Sequence, residues 1–136
     1  MDVSDRKQPS IPVANGSLQI VVVGSCASGK STLVKALRSC GFDAFACAQE
    51  HSAVPDLWRH QKPDLVVFLE ADLAAVRRRR SPTWSETIYW AQRQRLVNAR
   101  QAADVIIDTS KVDVESTVRL VLRKARQRVF EFGVDA

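Results

Sequence analysis

The stretch GSCASGKST, Gly24 to Thr32, constrains the fold of this chain more tightly than any other. Gly24, four residues, then Gly29, Lys30 and Ser31 is the spacing of a phosphate-binding loop, which works only between the end of a buried strand and the start of a helix. Both flanks are present. Leu18 to Val23, LQIVVV, is short, apolar and rich in β-branched residues, and predicts a buried strand. KSTLVKALRSCG predicts a helix with Leu33, Ala36, Leu37 and Cys40 on one face, stopped by Gly41.

The remaining chain repeats the alternation. FDAFACAQEH, residues 42–51, predicts a second strand ending at Gln49, Glu50 and His51. HSAVPDLWRHQ predicts a loop and a short helical turn, anchored in the core by Trp58. DLVVFLE, residues 64–70, is apolar nearly throughout, as a parallel strand covered on both faces must be. Glu70 and Asp72 lead into a helix, AAVRRRR, interrupted by Ser81 to Thr83. A long helix is expected from Trp84 to Ala102, with Trp84, Ile88, Ala91 and Leu96 facing inward. DVIID, residues 104–108, predicts a fourth strand. Val114, Val118, Val121, Leu122, Ala125 and Val129 then fall at helical period in a last helix over 114–130. The expected fold is α/β, with three layers around a short, mainly parallel sheet of four to five strands. The ligand should sit at one end of that sheet.

At 136 residues the chain fits one domain with a real core. Residues 1–16 read as a flexible polar tail, 17–132 as the nucleotide-binding unit and 133–136 as a C-terminal tail. No apolar run approaches membrane-spanning length and no signal-peptide core opens the chain, which points to the cytoplasm and away from a membrane. The three cysteines have no metal-ligand spacing and no even count for a disulfide framework. Cys40 and Cys47 read as buried fillers, and Cys26 as a loop position without a required side chain. Residues 73–128 carry 13 Lys or Arg against 5 Asp or Glu, whereas residues 1–72 carry 7 against 8. The basic half suits an anionic ligand, or a protein or nucleic-acid partner.

The chemistry expected of the loop is specific. The backbone amides of Gly24, Ser25, Cys26, Ala27, Ser28 and Gly29 converge on phosphate oxygens, and the helix beginning near Lys30 adds its positive end. Lys30 reaches the β- and γ-phosphates, Ser31 donates an oxygen to Mg²⁺ and Thr32 bonds the α-phosphate. Three strands end in an acid. Glu50 is the preferred second Mg²⁺ ligand over Glu70, read as a helix-start residue, and Asp108, read as a turn cap. His51, next to Glu50, has the chemistry of a base for an acceptor hydroxyl. Trp58 and Asp56 could line an acceptor pocket, although a core anchor is the plainer reading of Trp58.

GSCASGKST, the strand DLVVFLEA followed by AAVRRRR, and the segment RLVNARQAADVIIDTSKVDVESTVRLVL together resemble the small P-loop kinases. That group includes shikimate kinase, adenylylsulfate kinase and nucleoside monophosphate kinases. With QEHSAVPDLW added, the chain more specifically resembles bacterial P-loop proteins known only as ATP-binding or kinase-like. The resemblance covers residues 18–125. It implies a P-loop NTPase fold, ATP and Mg²⁺ as cofactors, and γ-phosphate transfer to an unidentified small acceptor. It makes Arg77 to Arg80 lid arginines, of which Arg77 and Arg80 are the expected catalytic pair, with Arg93 or Arg95 returning from the far side. It places Thr109, Ser110 and Lys111 in the turn that cradles the adenine. Relative to shikimate kinase, one strand–helix unit is missing after the second strand and the lid is reduced to residues 80–84. An open site of that kind also suits an ATPase or nucleotide-dependent switch acting on a protein or nucleic acid, as a monomer or a homodimer.

Overall fold

The computed structural model describes residues 18–135, and side chains only to Glu131. The tail expected at 1–16 lies outside the described residues. Four strands, β1 (Gln19–Gly24), β2 (Asp43–Ala46), β3 (Leu65–Glu70) and β4 (Val105–Asp108), form one sheet in the order β2-β1-β3-β4. Every pairing is parallel. The helices are α1 (Lys30–Ser39), α2 (Leu73–Arg79), α3 (Glu86–Arg95), α4 (Val97–Ala102) and α5 (Val114–Asp135). No helix among the described residues is long and apolar enough to cross a membrane.

The two central strands bury both faces, which is why their sequences are continuously apolar. Ile20 and Val22 of β1 and Leu65, Val67 and Leu69 of β3 pack against Leu33, Val34 and Leu37 of α1 and Val121 and Ala125 of α5. The alternate residues Val21, Val23, Val66 and Phe68 pack on the other face against Trp58, Leu96 and Ala99. A one-residue slip of either strand would exchange these two sets, so the register is fixed by packing. A smaller cluster of Ala71, Ala75, Val76 and Tyr89 sits beyond the end of β3. At the opposite end of the sheet, Asp64 accepts from Gln19 N and Asp104 from Val66 N, and Arg128 bonds both Asp64 O and Asp104 Oδ1. That end is closed by structural bonds, leaving the C-terminal strand ends for a ligand.

Several expectations change. The second strand ends at Ala46, and Gln49–His51 is a 3₁₀ turn instead of a strand end. The buried Gln49 forces the turn, because its side chain donates to Val54 O at 2.6 Å and accepts from Trp58 N at 3.1 Å. The helix expected over 84–102 is two helices meeting at Leu96. Its inward stripe is Tyr89, Gln92, Leu96 and Ala99, whereas Ile88 is exposed. Tyr89 wins its place by donating its hydroxyl to Ala71 O at 2.9 Å, an attraction that apolar periodicity does not register. On α1, Val34 is buried and Cys40 is exposed at the helix end. Cys47 is only partly buried, and desolvation is the main cause of its raised thiol pKa. Val114 is exposed, while the rest of the expected α5 stripe packs inward.

Candidate functional site

The chain steps from β1 to β2 on one side and then crosses to β3 on the other, so strand order reverses at β1. In open α/β sheets a crevice opens outside the strand ends at such a point. Residues 24–29 turn there. Gly24 runs so close to β3 that an added Cβ would lie 2.4 Å from Leu69 O and 2.6 Å from Ser28 Oγ. Gly29 has φ of 102°, a left-handed conformation that glycine adopts without strain. The N-terminus of α1 follows with no side-chain cap and no acid in its first turn. The hydroxyls of Ser25 and Ser28 are buried without a hydrogen-bond partner.

Lys30 bends back over this turn. Its Nζ donates to Gly24 O at 2.7 Å, Ser25 O at 3.0 Å and Glu50 Oε2 at 2.7 Å. Glu50 is buried, its Oε1 has no partner, and its own carbonyl accepts from Arg95 at 3.1 Å. The nearby His51 side chain is 59% exposed, with Nε2 3.7 Å from Glu50 Oε2 and 3.7 Å from Cys26 Sγ. Cys26 is buried and doubly held by Gln92, which accepts from Cys26 N at 3.2 Å and donates to the sulfur at 3.3 Å. Arg95 therefore bonds the turn after β2, at the Glu50 carbonyl. Gln92 was not foreseen. Its signal is a polar residue on the same helical face as Tyr89.

The other wall is the turn after β4. The Thr109 hydroxyl lies 2.9 Å from Ser28 O and 3.0 Å from Glu70 O. Ser110 accepts from Asp72 N at 2.8 Å, and Lys111 is exposed. Arg79 stitches the walls together, donating to Ala27 O at 2.8 Å and Thr109 O at 2.6 Å. The expected pair Arg77 and Arg80 stands apart from the loop. Arg77 donates to Trp84 O at 3.1 Å, and Arg80 is the exposed C-cap of α2 without a side-chain bond among the described residues. The reason is rotational: Ala75 is buried, and Arg79 lies one turn beyond it on the same face. Ser31 and Thr32 are both exposed. Thr32 lines the crevice, while Ser31 lines a depression along α1 with Lys35 and Arg38.

Two cavities of about 360 Å³ each flank the turn. One lies between Gly29, Thr32, Arg79, Thr109, Val114 and Val118. The other lies between Ser25, Phe68, Glu70, Trp90, Arg93 and Arg100. Glu70, one of the strand-end acids, is held there by Arg100 at 2.8 and 3.1 Å. Asp108 caps its own turn by accepting from Ser110 N at 2.9 Å. Trp58 is buried against the sheet and donates Nε1 to Asn98 Oδ1, so it anchors the core and walls neither cavity. No protein-family model matches the chain, and no curated protein matches it.

Proposed function

We propose that the chain binds Mg-ATP at residues 24–32 and transfers its γ-phosphate to a small acceptor. One observation carries this reading: unmet hydrogen-bonding groups converge at the turn. They are the uncapped N-terminus of α1 and the buried, unpartnered hydroxyls of Ser25 and Ser28, with the Lys30 ammonium directly beside them. Amides, hydroxyls and an ammonium are the donors that a polyphosphate requires. Lys30 rests on two neutral carbonyls and would turn to phosphate oxygens, which attract it more strongly. Glu50 would then be released toward Mg²⁺. The unpartnered Oε1 of Glu50 and the hydroxyl of Ser31 are the hard oxygen donors that Mg²⁺ prefers.

The cavity beside Thr109, Val114 and Val118 has apolar walls suited to a purine base, and it is bounded by the loop residues Ala27 to Gly29 and by Arg79. The cavity beside Ser25 opens on the opposite side of the turn and would take the acceptor, with Glu70 the carboxylate in its wall. A nucleotide-dependent switch or ATPase is the second reading. It is favoured by the short connection between Arg79 and Glu86, which offers little cover for a bound phosphate.

Calorimetric titration of ATP and GTP, with and without Mg²⁺, tests the proposal. Mg-ATP should bind. Lys30→Ala, assayed at a temperature where its melting curve shows it folded, should weaken binding at least tenfold, or about 1.4 kcal/mol. Absence of binding to either nucleotide overturns both readings. Binding with phosphate release that only a macromolecular partner accelerates selects the second.

A further inference from the structure

We propose that Cys26, Glu50 and His51 form a transition-metal site, with Zn²⁺ as the cation its donor set favours. The three residues come from two segments that the fold brings together, the turn after β1 and the 3₁₀ turn after β2. Their ligand atoms all lie within 4.8 Å of one another. His51 Nε2 is 3.7 Å from Cys26 Sγ and 3.7 Å from Glu50 Oε2. Tetrahedral zinc with bonds of about 2.3 Å to sulfur and about 2.0 Å to nitrogen and oxygen sets neighbouring ligands roughly 3.3–3.6 Å apart. The two His51 distances are a few tenths of an ångström wider, within reach of a rotation of the exposed ring, while Cys26 and Glu50, within 4.8 Å of each other, must themselves draw together on the ion.

A second observation points to a cation. Glu50 is buried, yet its Oε1 has no partner. A buried carboxylate oxygen without a donor is costly, and a metal ion supplies what is missing. Lys30 is no obstacle, because it keeps Gly24 O and Ser25 O as acceptors when Glu50 turns to the metal. The sulfur is oriented from outside by Gln92 Nε2 at 3.3 Å, the kind of supporting bond that metal ligands carry. Thiolate, imidazole and carboxylate together suit Zn²⁺ and exclude a preference for Mg²⁺ or Ca²⁺. The side chains supply three ligands, and the exposed edge at His51 leaves a fourth position to water. Binding displaces one proton from the Cys26 thiol. The site belongs to the nucleotide-free chain, because the proposed Mg-ATP complex would turn Glu50 to Mg²⁺.

Co²⁺ alone is the probe, added to the full chain without nucleotide. The expected result is one equivalent bound, with the near-ultraviolet thiolate-to-cobalt charge-transfer band and the visible bands of tetrahedral cobalt, both removed by Zn²⁺. Cys26→Ser should abolish the charge-transfer band. His51→Ala, at an exposed position that the fold does not need, should weaken Co²⁺ binding at least tenfold. Cys40→Ser, at the exposed end of α1, should leave the spectrum unchanged. A wild-type protein without the band overturns the proposal. So does a band that survives in Cys26→Ser, one that disappears in Cys40→Ser, or unchanged affinity in His51→Ala.

Discussion

Replacing Lys30 by Met should cost about 3 kcal/mol of folding stability, independent of any ligand. The Lys30 and Glu50 side chains are only 13% and 5% exposed and meet at 2.7 Å. Removing one member of a buried pair leaves the other charge desolvated and unpaired, a loss of about 3–5 kcal/mol. The lower end applies here, because Arg95 is bonded to the Glu50 carbonyl and His51 stands 3.7 Å from its carboxylate. Glu50→Gln in the Lys30→Met background removes the orphaned charge and should recover most of that loss. Arg100→Ala is the internal comparison. Its ion pair with Glu70 is nearly as short, at 2.8 Å, but the Arg100 side chain is 49% exposed, so the change should cost under about 1 kcal/mol. Urea unfolding of the four proteins at neutral pH, analysed for midpoint and slope, measures all three differences. A Lys30→Met loss no larger than that of Arg100→Ala, or a double variant no more stable than Lys30→Met, would refute the argument that burial makes this pair matter.

Gly24→Ala should destabilise the chain by more than about 2 kcal/mol in thermal or urea melts. The new methyl would overlap the Leu69 carbonyl and the Ser28 hydroxyl, and a backbone group cannot simply rotate away. Asp113 caps α5, accepting from Ser116 N at 2.7 Å, and this backbone bond, followed by the Ser116 side chain, holds its pKa below the ordinary carboxylate value. A depressed folded-state pKa adds stability that is fully present above the unfolded pKa and lost as pH falls through the folded one. Asp113→Ala should therefore be less stable than the parent at neutral pH, and the gap should close in acid. Melting curves from pH 7 downward check it, and a gap that stays constant would sink the assignment.

What was legible in the sequence was what neighbouring residues decide. The β-branched run before Gly24, the glycines at 24 and 29 and the amphipathic start of α1 each follow from backbone sterics or periodicity within a few residues. The apolar strands of the buried sheet and the α5 stripe from Val118 to Val129 were readable for the same reason. Residues that answer to distant partners were not. Glu50 was singled out as a strand-end acid, but its burial against Lys30 depends on a 3₁₀ turn that Gln49 builds from contacts with Val54 and Trp58. Among four consecutive arginines, only the rotation of α2 set by buried Ala75 decides that Arg79 reaches the loop. Gln92 is buried because Cys26, 66 positions away, offers it both an amide and a sulfur. Local geometry and apolar pattern specify the strand–turn–helix and the parallel α/β layering. Which charged and polar side chains meet around the turn follows from long-range packing alone. A buried polar group follows its partner, and the partner's position exists only once the chain has folded.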